Sequence, residues 1–197
     1  MRTARTLSRR SRVRKGLPPL ILVTDPERTP DPLALAERLP PGSGVIFRSF
    51  GREGAGETAR QLAGLARRSG LVLLIGADAL RAPGAGVHLP ERMAHRAGAL
   101  KRARPGVTVT VAAHSLPALI RARRAGADAA LLSAAFQSRS PSAGRPLGPA
   151  RFAALARQAG LPVYALGGVD TKNAPRLLSS GAAGLAMVEG LARVLQR

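Results

Sequence analysis

The chain contains no cysteine and no tryptophan, and aromatic residues make up only 3% of its 197 positions. The first absence removes disulfide frameworks, thiolate nucleophiles and cysteine-ligated zinc together. The scarcity of aromatics leaves little with which to stack nucleic-acid bases. No stretch reaches the roughly 20 uninterrupted apolar residues that a membrane-spanning helix requires, and the basic N-terminus leads into no long apolar region. Neither membrane insertion nor secretion is expected, and a cytoplasmic setting is. What the chain does have is 45% hydrophobic residues, enough for one globular core, and a length that suits one domain better than two.

Acidic residues are few, 11 against 31 basic ones, which leaves a net charge of +20. Where that charge sits decides its meaning. Residues 1–16 hold Arg2, Arg5, Arg9, Arg10, Arg12, Arg14 and Lys15 with no acid, so +13 remains for the rest. This segment lacks apolar periodicity and reads as a short, basic, disordered extension, with the folded domain spanning residues 17–197. An arginine- and serine-rich leader also fits an organellar transit segment, but a plain extension is the simpler reading. Elsewhere arginines are dispersed over the polar faces of expected helices, as at Arg60, Arg67 and Arg68 or Arg121, Arg123 and Arg124. That pattern describes a solvated surface, so a nucleic-acid partner is not expected.

From Leu20 onward, short β-type apolar runs alternate with longer segments of helical period, the pattern of repeated βα units. The strand candidates are Leu20 to Val23, Val45 to Phe47, Val72 to Ile75, Gly86 to Leu89, Val107 to Val111, Ala129 to Leu132, Val163 to Leu166 and Gly184 to Val188. Near-continuous apolar strands imply burial on both faces, hence a parallel sheet covered by helices. Eight such strands predict an α/β fold, a single (β/α)8 TIM barrel, with a short link and a vestigial helix between the third and fourth.

In such a barrel, chemistry belongs at the carboxyl ends of the strands. Leu166-Gly167-Gly168-Val169 follows the seventh strand, and Gly184 to Gly190 covers the eighth and the start of the last helix. These are places where barrels bind phosphate through free backbone N–H groups. His88 and His114, at strand or helix ends, fit structural hydrogen bonding as well as function. Asp25 before Pro26 fits a turn or cap. Arg48, a cation at a strand end facing the barrel mouth, is the stronger functional candidate.

Several of these segments resemble the thiamine phosphate synthases and their TenI relatives. Leu22-Val23-Thr24-Asp25, Gly86-Val87-His88-Leu89, His114-Ser115-Leu116, Ala125-Gly126-Ala127-Asp128 and Ala165-Leu166-Gly167-Gly168-Val169 match family motifs in order and spacing. The segment from Phe136 to Gly148 stands where the family has a Phe-Pro-Thr-Pro-Thr-Lys loop. The resemblance implies union of a hydroxymethylpyrimidine diphosphate with a thiazole phosphate, with release of pyrophosphate and help from Mg²⁺. Carried over by position, Arg48, His88 and His114 would be catalytic. Ser138 and Ser140 would line the sixth loop, and Gly167, Gly168 and Val188 would cradle the substrate phosphate.

The chain also departs from the family. After the second strand, Ile46-Phe47-Arg48-Ser49-Phe50 keeps the Arg of Gln-Leu-Arg-Glu-Lys but not its Gln or Lys. Gly76-Ala77 replaces Asn-Asp, which leaves Asp78 one position late and Glu91 as the remaining candidates for Mg²⁺, a cation that needs oxygen ligands. The TenI tautomerase His falls at Ala134. Two functions stay open: a synthase-like transferase, acting on the family's substrates or on altered ones, and a non-catalytic phosphate-ligand binder that has lost its Mg-diphosphate half. The oligomeric state is not legible.

Overall fold

The computed structural model describes residues 3–4, 6–7, 16–77, 85–140 and 144–196. Eight parallel strands close into a barrel in sequence order, the eighth pairing with the first. They are β1 (Leu20–Val23), β2 (Gly44–Phe47), β3 (Val72–Gly76), β4 (Gly86–Leu89), β5 (Val109–Ala113), β6 (Ala129–Leu132), β7 (Val163–Ala165) and β8 (Gly184–Met187). The helices outside them are α1 (Pro32–Glu37), α2 (Ala55–Ser69), α3 (Ala97–Ala103), α4 (Leu116–Arg124), α5 (Gly148–Ala159) and α6 (Glu189–Leu195). Two 3₁₀ turns, Glu91–Arg96 and Ala174–Leu177, stand before α3 and in place of a seventh crossover helix.

Each expected strand is present. β5 alone moves appreciably, beginning two residues late, because Val107 N–H closes a turn onto the Arg104 carbonyl before the strand starts. The link from β3 to β4, where a vestigial helix is expected, lies largely outside the described residues.

Strand alternation sorts the core into layers. Leu20 and Leu22 pack outward with Val45, Phe47, Leu62 and Phe152, whereas Ile21 and Val23 turn inward with Ile46, Leu74, Leu131 and Tyr164. Tyr164 is fully buried and its hydroxyl donates to the Pro18 carbonyl (2.7 Å), which ties the barrel interior to the chain entering β1. On the flank of β4 and β5, Val87, Leu89, Val109 and Val111 pack outward against Ala97 and Ala122.

Within residues 1–16 the structure describes Thr3, Ala4, Thr6, Leu7 and Gly16. Thr3, Ala4, Thr6 and Leu7 are helical, and Ala4 and Leu7 are buried within the outer core. The local reason is that Leu7 is the extension's apolar anchor, and burying it removes a large hydrocarbon surface from water.

Candidate functional site

The same alternation sets the barrel mouth. Because Val45 and Phe47 face outward, Ile46 faces in, and the next inward position is Arg48, just past the end of β2. Its backbone N–H donates to Thr24 Oγ1 (2.9 Å), and its Nε donates to the Thr24 carbonyl (2.9 Å). Thr24 follows β1 and is buried, so the guanidinium is fixed across the β1–β2 seam. Asp25 Oδ2 lies 3.7 Å from Arg48 Nη2.

Asp25 itself is a turn residue. Its Oδ1 accepts from the backbone N–H groups of Glu27 and Arg28, and its Oδ2 accepts from Arg28 Nη2 (2.6 Å). Burial opposes ionisation of this carboxyl, but the Arg28 contacts outweigh it and hold the pKa below the usual value.

His88 lies deeper. Val87 and Leu89 face outward, so His88 faces in, and on β5 Thr110 does the same between Val109 and Val111. Nδ1 of His88 and Oγ1 of Thr110 are 2.9 Å apart. Burial, reinforced by the charge of Arg48, lowers the imidazole pKa to about 3. The ring is therefore neutral throughout the physiological range and serves as a hydrogen-bonding group beneath a fixed cation.

His114 and Glu91 belong to a different cluster. Glu91 Oε2 accepts from the His114 backbone N–H (3.1 Å) and lies 2.8 Å from His114 Nδ1. Glu91 Oε1 accepts from Arg121 Nη2 (2.8 Å). These three line a cleft between the Glu91–Arg96 turn and α4, together with Arg92 and Arg124, and neither Arg48 nor His88 lines it. The proposed pairing of His114 with Arg48 and His88 in one site is thus not what the fold brings together. Both carboxylate oxygens of Glu91 are already engaged, and Asp78 lies outside the described residues. Among the described residues, no group of three His, Asp or Glu side chains could hold a metal ion.

At the other side of the mouth, Gly167 and Gly168 carry φ of 89° and 64°. The loop after β6 runs directly over them. Ala135 N–H donates to the Leu166 carbonyl and Phe136 N–H to that of Gly167, and a Cβ on Gly168 would overlap the Gln137 carbonyl oxygen. The two glycines are required first by this close backbone approach. Their own N–H groups have no protein acceptor among the described residues, so an anion could still use them. Asn173 braces the turn: its Nδ2 donates to the Gly168 carbonyl (2.8 Å), while its Oδ1 accepts from Asp170 N–H (3.0 Å).

Ser138 and Ser140 sit in the loop after β6, where Ser138 Oγ accepts from Ser140 N–H (3.2 Å). Val188 precedes α6, and its carbonyl accepts from Leu191 and Ala192 N–H. Sequence reasoning passed over its neighbour Glu189, whose carboxylate pairs with Arg139 of the loop after β6 and with Arg193 (3.2 Å). Thr24 and Asn173 are visible in the sequence only as parts of family motifs and Thr110 carries no motif at all; inward position on a strand, or an Asx-type turn spacing at Asn173, was the available signal for their contacts.

Comparison with known proteins bears on the same region. The family model described as thiamine monophosphate synthase matches residues 20–191. A thiamine-phosphate synthase of Chlorobium luteolum is 29% identical over 89% of this chain and 86% of its own length. One from Alcanivorax borkumensis is 31% identical over 87% of this chain and 84% of its own. Among solved structures, thiamine phosphate pyrophosphorylase from Pyrococcus furiosus superposes with a TM-score of 0.71 at 21% identity, covering 93% of this chain and 97% of that one. A match running from the first strand of the closed barrel into its last helix makes this chain a member of the thiamine monophosphate synthase family.

Proposed function

We propose that the chain binds a hydroxymethylpyrimidine diphosphate and a thiazole phosphate at the barrel mouth and joins them. The C–O bond to the diphosphate breaks, pyrophosphate leaves with the electron pair, and the thiazole nitrogen forms the new C–N bond at the vacated carbon. The observation that carries this reading is Arg48, a guanidinium held by Thr24 at the mouth above a neutral, buried His88. A fixed cation there stabilises the charge that develops on the departing diphosphate without needing to reorganise. His88 keeps a polar contact on the barrel side without adding a competing positive charge. The N–H groups of Gly167 and Gly168, which have no acceptor among the described residues, would take the phosphate of the second substrate.

Family membership brings with it an expectation of Mg²⁺. The described residues do not fit that ion, because Glu91 is consumed by His114 and Arg121 and Gly76-Ala77 offers no side-chain oxygen. The same observation favours a second reading, in which the barrel holds a phosphorylated ligand without turning it over.

Incubating the purified chain with both precursors, with and without Mg²⁺, separates the two. Thiamine phosphate and pyrophosphate in equal amounts support the transferase. Saturable binding of thiazole phosphate with no product rejects it in favour of the binder. An Arg48→Ala variant is expected to lose at least tenfold in turnover, consistent with loss of one charge-stabilising contact of about 1.5–3 kcal/mol.

A further inference from the structure

One large apolar side chain stands out at the mouth. Phe50 follows Arg48 by two residues and is 64% exposed, while its ring centroid lies 5.1 Å from the Arg48 guanidinium carbon. Its backbone is also unusual. Arg52 N–H donates to the Ser49 carbonyl (3.1 Å), closing a turn in which Phe50 (φ 50°) and Gly51 (φ 79°) are the two central residues. Positive φ at both central positions is the pattern of a type I′ turn, which favours Asn-Gly and disfavours a bulky side chain at the first place. Phe50 is the only residue other than glycine with positive φ among the described residues. The chain therefore holds an aromatic ring in a backbone conformation that opposes it, in a position where burial gives it almost nothing in return. Strain of that kind points to use of the side chain rather than to packing.

We propose that Phe50 is a specificity-determining residue: its exposed face stacks on the planar ring of a phosphorylated heteroaromatic substrate, whose anionic group Arg48 takes. One face of the Phe50 ring rests on the guanidinium, which orients it and leaves the other to a ligand. Cation, ring and incoming ring would then form one stack, with the diphosphate reaching past Phe50 to Arg48. The inference rests on the substrate class proposed above and assigns the recognition of its pyrimidine to this side chain.

The test is the Phe50→Asn variant, which restores the preferred Asn-Gly turn and removes the ring. Binding of hydroxymethylpyrimidine diphosphate and of inorganic pyrophosphate is measured by calorimetry for both proteins, alongside thermal unfolding. The expected result is an unfolding temperature at or above that of the parent, about tenfold weaker binding of the pyrimidine diphosphate, as for loss of one stacking contact, and unchanged binding of pyrophosphate. A Phe50→Tyr variant should retain the parent's affinities. Equal losses for both ligands would reduce Phe50 to a support for Arg48 and overturn the proposal, as would no loss for either. A parent protein that binds the pyrimidine diphosphate no more tightly than pyrophosphate also overturns it. Ring-dependent binding without product formation would instead reject only the transferase.

Discussion

His88 illustrates how a residue's chemistry follows from which way its strand turns it. Facing inward beside Thr110 and under Arg48, its imidazole has a pKa lowered from 6.5 to about 3. The unfolded chain takes up a proton near pH 6.5, whereas the folded chain does not until about pH 3. Stability from this residue is therefore complete above pH 6.5 and declines as pH falls through that window, with a limiting slope of about 1.4 kcal/mol per pH unit. Replacing His88 by Gln should flatten the loss of unfolding temperature between pH 7 and pH 4.5 relative to the parent, as read by calorimetry at several pH values. Identical slopes would show that the imidazole is not held neutral by the fold. In the sequence, His88 was recognisable from its motif, but its charge state was not, because that depends first on burial inside the closed barrel and then on the charge of Arg48 from a different strand. Asp25 was the reverse case. Its turn role was legible from Pro26, since Asx turns are made by residues two and three positions along the chain.

Among the elements, strands were easier to locate than the loops joining them. Near-continuous runs such as Leu20–Val23 and Ala129–Leu132 are buried on both faces and leave a local signature that needs no knowledge of partners. The Gly167-Gly168 turn was legible as a special backbone site, but half of its purpose was not. Its close contact with Gln137 joins segments some thirty residues apart, and no local pattern records that approach. Replacing Gly168 by Ala is consequently expected to cost at least about 2 kcal/mol, from positive φ and the clash with the Gln137 carbonyl together. Urea unfolding should show a lower midpoint with an unchanged slope. A variant of parental stability would mean that the loop after β6 does not rest on this turn. The same geometry explains why a charge introduced at Gly168 would report on the loop before it reported on any bound anion. Glu91 and His114, each read from the sequence as part of the mouth, pair with each other beside Arg121 in a cleft that neither Arg48 nor His88 lines.

On the scale of the molecule, closure of the sheet leaves no exposed strand edge, and among the described residues no lysine, arginine, aspartate or glutamate is buried. The N-terminal extension belongs to the outer core at least through Ala4 and Leu7. Composition concealed this, because one leucine among arginines sets up no period. If the docking contributes to folding, Leu7→Ala should lower stability by about 2–3 kcal/mol, measured by denaturant titration. A change within about 0.5 kcal/mol would return the extension to the solvent.

Tyr164 is the chain's one tyrosine, in a molecule without tryptophan, and it lies at the base of the barrel with its hydroxyl on Pro18. Burial pushes its phenol pKa well above 10. The protein thus carries a single tyrosine chromophore, absorbing at longer wavelength than its phenylalanines and placed in the interior. Its emission is expected to follow the packing of the barrel interior, and tyrosinate absorbance in alkali to accompany unfolding, because the unfolded phenol ionises first and the stability this residue contributes declines as pH climbs beyond 10.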